Sequence, residues 1–432
     1  MSHPSPPAHD QAPGPIVPAD AGPYAVLRVP AFRRYLFGLL ALTFGTQLQA
    51  VIVGWQVYAL TQDPLALGIV GLAEALPYVG LALWAGHVAD RVDRRRLVLL
   101  TTTVLVGCSL ALLALAWRPL AARGDGTRGV VWAIYAVIVA SGVARSFLQP
   151  ARTALSVELV PRPLLPSSVT WRSAVWQTAA VVGPALGGLV YAAGGARAAY
   201  AADVTCMGVA LVCFVSIRHR SPARARAEGR AAGALTEGIR FVRGQPVMMG
   251  AMTLDLFSVL FGGAAALLPI FAQDVLRVGP EGLGVLRAAP AVGAVAVSYW
   301  LTHRPPFARA GRALLVAVAI FGLTIVGFGL SRSYPLSVAL LALGGAADMV
   351  SVNVRSMLLQ LFVPEHLLGR VSAVNQIFIG SSNQIGEFES GVAAKLLGAV
   401  NAVVVGGLVT LAVVAGTAWR VPQLRRLGRV GA

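Results

Sequence analysis

Twelve apolar runs, each about as long as a bilayer is thick, follow one another along the chain: 35–59, 66–89, 97–117, 130–149, 165–192, 197–217, 247–273, 281–302, 312–330, 335–358, 367–392 and 398–419. A hydrocarbon core of about 30 Å takes roughly 20 helical residues per crossing. Membrane β-strands would be about ten residues long and alternating, and these runs are neither. Lipid offers a backbone amide no partner, so the runs must be helices. The expected fold class is an all-α membrane protein with twelve transmembrane helices. Composition closes the other routes. Charged residues make up 12% of the 432, against about 25% in an average soluble domain, too few to coat a soluble fold.

The charge that remains is lopsided: 35 Lys and Arg against 18 Asp and Glu, a net +17. Nucleic-acid binders share such basicity but not serial apolar runs, so no nucleic-acid partner is expected. With both termini placed in the cytoplasm, 25 of the 35 basic residues fall on the inner segments, as the positive-inside rule asks. The basic stripe then meets anionic lipid heads. Residues 1–24, rich in Pro and Ala, lack the basic start and short apolar core of a signal peptide and read as a disordered cytoplasmic tail. Cys108, Cys206 and Cys213 lie in apolar runs with no metal-ligand spacing. No metal, disulfide or cofactor is expected.

The longest inner connection, 218–246, divides the chain into six-span halves, 25–217 and 247–420, leaving 421–432 as a second tail. The halves look duplicated. Val160-Pro161 matches Val363-Pro364, and at the same offset Arg152 meets Arg355 and Gly183 and Gly188 meet Gly386 and Gly391. At a slightly different offset Pro77 aligns with Pro290, and Glu74 with Arg287. Paired halves place a small-molecule site between them near the midplane.

Between spans two and three stands Gly86-His-Val-Ala-Asp90-Arg91-Val-Asp93-Arg94-Arg95-Arg96. It resembles the signature of the major facilitator superfamily. Asp90 can accept from the N-terminal amides of span eleven, Gly86 allows a close helix approach, and Arg91, Arg94 and Arg95 can pair with acids or lipid phosphate. Together they read as a cytoplasmic gate. The loop after span eight, His303-Arg304-Pro305-Pro306, lacks the acid. In span five, Gly183-Pro184-Ala185-Leu186-Gly187-Gly188 resembles the end of the superfamily's antiporter motif. Pro184 bends the helix, and Gly187 and Gly188 permit the tight packing that would close the outer side.

The run from Asp348 through Arg355, Gly369-Arg370 and Asn375 to Asn383-Gln384-Ile-Gly386-Glu387-Phe388-Glu389-Ser390-Gly391 is similar to the enterobactin-exporter branch of that superfamily. The resemblance covers nearly all of 25–427. It implies the major facilitator fold, two pseudo-symmetric six-helix halves and proton-driven export of siderophores or drug-like compounds from the bacterial inner membrane.

Ionisable groups inside spans are costly and therefore functional candidates. Glu74 and Asp255 lead as proton carriers, with Arg145, Arg172, Asp348 and Arg287 as further intramembrane charges. Arg145 and Asp348 occupy equivalent spans and are expected to pair across the halves. Glu387 and Glu389 fall at the predicted end of span eleven, where hydration makes an acid cheap. Gln47, Gln49, Gln56, Trp176, Gln177, Asn375 and Asn383 could line a substrate cavity. No Gly-x-x-x-x-Gly-Lys phosphate loop or nucleophile motif is present, so no ATP drive and no enzyme activity are expected. The partners expected are a small substrate, protons and lipid, with the chain working as a monomer. Uptake of a small solute, or a non-transporting sensor or membrane enzyme, stands as the alternative.

Overall fold

A computed structural model describes residues 24–117, 125–219, 231–303, 307 and 309–427. Every regular element among them is helical. The first group is α1 (Pro30–Thr61), α2 (Pro64–Arg91), α3 (Arg94–Ala116), α4 (Asp125–Glu158) and α5 (Leu165–Val215). The second is α6 (Ala231–Gly244), α7 (Pro246–Gly262), the single turn α8 (Leu268–Ile270), α9 (Gly279–Thr302), α10 (Ala310–Leu330), α11 (Tyr334–Phe362), α12 (Glu365–Leu397), α13 (Ala399–Arg420) and α14 (Pro422–Arg426). Ten helical stretches among the described residues are long and apolar enough to cross a membrane. One of these holds α5, which is itself two helices, because Gly195 interrupts it at φ 67°.

Local chemistry starts and stops these helices. Proline, whose missing N–H is no loss in a first turn, opens α1, α2, α7 and α14. Asp63 caps α2 by accepting from Leu65 N at 3.0 Å, and Asp93 caps α3 by accepting from Arg96 N at 3.0 Å. Gly398 turns α12 into α13 at φ 82°, a conformation that suits glycine. The stretch after α7 departs from the single span expected over 247–273. α7 stops at Gly262–Gly263, and the chain continues through a 3-10 turn, α8 and a π-helical turn over Phe271–Val275.

Within the first group α1 packs on α5, α2 on α4, and α3 on α4 and α5. Within the second, α9 packs on α11, α10 on α11 and α13, and α7 on α12 and α13. The groups meet where α2 crosses α12 and α5 crosses α9. Copy-related contacts recur. Gly142 sits against Pro77, with 3.2 Å from a Cβ to Cγ, and Gly345 sits against Pro290.

One face of the bundle gathers the arginines. Arg94 pairs with Glu158 at 2.5 Å, and Arg34 and Arg95 donate to the carbonyls of Ser216 and Val215. The expected linker and second tail are partly built here. α6 packs on α7 and α12, and Leu424 of α14 is fully buried. Toward this basic face the apolar core splits in two. One cluster draws only on the first half (Phe32, Tyr35, Leu155, Phe214) and one only on the second (Met248, Leu314, Leu358, Val371). Toward the opposite face a single cluster joins both halves through Tyr58, Tyr200, Phe271, Leu286 and Phe328. Among the described residues, the buried apolar core joins the halves at one end and stays separate in each half at the other.

Candidate functional site

The closed end is held by close backbone approach and by polar bonds. A Cβ on Gly188 of α5 would overlap the Pro280 carbonyl oxygen and come within 3.0 Å of Gly284 Cα. On the other side of the bundle a Cβ on Gly391 would lie 2.6 Å from Gly68 Cα. Only a residue without Cβ lets two helices meet this closely, and Gly188 and Gly391 are copies of each other. Lys395 Nζ donates to Asp63 Oδ2 at 2.9 Å, and Tyr58 OH donates to Asp274. Both bonds cross between the halves. Burial alone would raise the Asp63 carboxyl. The Lys395 hydrogen bond, the Leu65 N–H and the ammonium charge outweigh it and hold Asp63 below the usual carboxylate range.

Of the span-five residues, Gly183 and Gly187 face α1: a Cβ on Gly183 would lie 2.8 Å from Gln47 Cβ, and one on Gly187 3.3 Å from Leu48 Cα. Gly188, with the Pro184 carbonyl and the Ala185 Cα against Gly284, faces across to α9.

Below the seams lies a layer of charge. Glu74 is ten residues inside α2, about 15 Å from its closed-end terminus. Arg145 of α4 donates to Glu74 Oε1 at 2.5 Å and to Gln49 Oε1 at 2.8 Å. Gln49 passes the chain on, donating to the fully buried Asp203 at 3.2 Å. Spans one, two, four and six of the first half thus share one polar network. The expected pair between Arg145 and Asp348 does not form. Asp348 is half-buried in its own half, within electrostatic reach of Arg355 and Asp255, and Asp255 is ion-paired with Arg355.

Glu387 also differs from expectation. α12 runs to Leu397, so Glu387 lies ten residues, about 15 Å, from the helix end. It is within electrostatic reach of Arg287 and of Glu74 of the other half. Arg287 and Glu74, aligned as copies in the sequence, thus both lie within electrostatic reach of one acid.

The remaining candidates scatter. Gln56 is buried and accepts from Tyr200 OH at 2.6 Å, so it belongs to the core of the first half and not to a cavity. Trp176 is 54% exposed, Asn375 and Gln177 are half-exposed, and Asn383 is exposed but donates to its own Ile379 carbonyl. Arg172 donates to Ser156. At the gate, Asp93 caps α3, Arg94 is buried against Glu158 and Arg91 is exposed. The side chain of Asp90 lies outside the described residues, as do those of 365, 366 and 368–370, so its expected contact with α12 falls there too. A Cβ on Gly86 meets no atom within 4 Å among the described residues. No cluster of metal ligands occurs among the described residues. Sequence reading passed over Arg152, Arg355, Lys395 and Tyr58. The offset that pairs Arg152 with Arg355 was the available signal for the first two.

The family described as transmembrane secretion effector matches residues 21–429. The chain belongs to that family. Proteins with similar sequences include the enterobactin exporter EntS of Shigella boydii, 26% identical over 346 residues and 80% of each chain. The multidrug efflux pump Tap of Mycolicibacterium fortuitum is 26% identical over 352 residues, 78% of this chain and 83% of Tap. Among solved structures the nucleoside transporter NupG superposes with a TM-score of 0.67 at 12% identity, over 90% of this chain and 98% of NupG. A bacterial homologue of the lysosomal transporter Spinster, solved inward-facing and unoccupied, gives 0.63 at 13% identity over 93% and 96%. This secretion-effector chain has the major facilitator fold and is a multi-pass membrane transporter of that type, and its sequence relatives are exporters.

Proposed function

We propose that the protein is a proton-coupled exporter of siderophore- or drug-like molecules, working by alternating access with twelve spans in the bacterial inner membrane. The divided core carries this reading. One apolar cluster joins the halves at one face and two separate clusters leave them parted at the basic face. With the basic face cytoplasmic, this is an inward-open state, ready to take cargo from inside. The names of the relatives, enterobactin exporters and a multidrug pump, support outward transport of such cargo.

Glu74 is the leading proton carrier. Its carboxylate is held by Arg145, and protonation would free Arg145 and Gln49 to rearrange. Asp255 repeats the arrangement with Arg355 in the second half. Asp90, Arg91, Arg94 and Arg95 close the cytoplasmic side in the alternate state, while Pro184, Gly187 and Gly188 shape the outer closure. Lipid phosphate meets the exposed arginines, and the chain acts as a monomer.

The test is proton flux in proteoliposomes under an imposed pH gradient. The panel is catecholate siderophores, lipophilic cations and macrolides. We expect flux stimulated by at least one ligand, lost in Glu74→Gln or Asp255→Asn. Cargo movement that dissipates no proton gradient would overturn the coupling. Uptake against the gradient would overturn the direction.

A further inference from the structure

We propose that Arg152 and Arg172 form the anion-binding end of the cargo site, so that the molecule exported is an organic anion. This rests on the transporter reading above and names its substrate class.

The observation is an asymmetry between copies. Arg355 has an acid, Asp255, ion-paired with it. Its copy Arg152, at nearly the same depth, about 9 Å from the basic-face end of α4, has none among the described residues. The groups acting on Arg152 are Tyr35 of α1, Tyr78 of α2, Arg172 of α5 and Arg145 of its own helix. No carboxylate is among them, and Arg145 is already committed to Glu74. Arg172 donates to the Ser156 hydroxyl and lies within reach of the Tyr35 hydroxyl, both neutral, and its Nε is buried with no partner among the described residues. Arg172 reaches α4 one turn from Arg152, at Ser156, and two guanidiniums within electrostatic reach inside the bundle repel each other and are costly unless a negative charge joins them.

The place is also reachable. Arg152 is surrounded by groups from four helices yet stays half-exposed, which is the signature of a concavity. Tyr78 roofs it: a Cβ on Gly380 of the other half would lie 3.2 Å from Tyr78 OH. The site therefore sits under the cross-half contact and on the open side of it. Trp176, four residues after Arg172 and so on the same helix face, is 54% exposed. It offers a flat apolar surface one turn deeper. Guanidiniums at one end and an indole at the other suit a carboxylate or sulfonate on an aromatic body.

The test is equilibrium binding to detergent-purified full chain, with no gradient and no transport, so that it stands or falls apart from proton coupling. The probes are naphthalene-2-carboxylate and naphthalene-2-sulfonate, each against its neutral carboxamide or primary-amine counterpart. They are read by tryptophan fluorescence and by thermal shift. We expect at least one anion to bind ten-fold or more tighter than its counterparts. Arg152→Gln and Arg172→Gln should each lose ten-fold or more of that affinity, and Arg172→Lys should keep most of it. The lysine variant, with the unfolding midpoint of each protein, separates loss of the site from loss of the fold. Equal or tighter binding of the amine overturns the proposal. So does unchanged anion affinity in both glutamine variants, or an absence of binding by every anion to well-folded protein.

Discussion

Arg145 holds three other groups in place, since Glu74 and Gln49 accept from it and Gln49 in turn donates to Asp203. Removing the guanidinium leaves a carboxylate unpaired inside the bundle. Arg145→Leu should therefore destabilise the first half by about 2 kcal/mol, the order of a hydrogen-bonded charge. The fall would appear as a lower unfolding midpoint in detergent, and Glu74→Gln in the same chain should recover part of it. A double mutant no better than the single would show that the two do not interact. At this scale the sequence was partly legible. Glu74, Arg145, Asp255 and Asp348 stood out as ionisable groups in apolar runs, but their partners did not. Arg145 and Asp348 occupy equivalent positions in the two copies. Equivalence by pseudo-symmetry says nothing about contact: Arg145 pairs with Glu74 of its own half, and Asp348 lies within electrostatic reach of Arg355 of its own.

Single helices show where hydropathy stops being informative. Span eleven was expected to end near 392, yet α12 continues to Leu397. Lys395 can be accommodated there because Asp63 of the other half neutralises it, a partner no local pattern reveals. Span seven is apolar on both sides of Gly262–Gly263, so its break there left no trace in the hydropathy. The Asp63–Lys395 bond makes a pH prediction. Because the folded-state carboxyl of Asp63 is held down, its contribution is full above the ordinary carboxylate pKa of about 4. It is lost as pH falls through the lower folded value. Acid on the closed face should thus loosen this contact. Spin labels spanning the α2–α12 contact should separate below about pH 4, and Lys395→Met should remove that dependence. An unchanged distance across the titration would dissociate the bond from the closure.

For the whole molecule, run lengths, arginine placement and repeated offsets made fold class and internal duplication readable before any coordinates. The conformational state was not readable, because one sequence encodes every state of the cycle and only packing selects among them. That packing is thin at the closed end, where glycine meets glycine. Gly188→Leu and Gly391→Leu should each force the seam apart and shift the population toward the alternate state. A cysteine replacing Ala185 should then react faster with a membrane-impermeant maleimide added from the closed face, by ten-fold or more, while one replacing Trp176 reacts more slowly from the basic face. Unaltered labelling from both faces would mean that the glycine crossings do not govern the closure.

The seam also decides who can poison the machine. In the inward-open state proposed above, a blocker supplied in the medium meets Gly188, Gly284, Gly68 and Gly391 pressed together and finds no entrance. In that state a compound that has already reached the cell interior can wedge itself between the parted halves. Screening extracellular libraries against intact cells would favour molecules that permeate well over molecules that fit well. Inside-out vesicles would present the open mouth directly and rank compounds by fit alone.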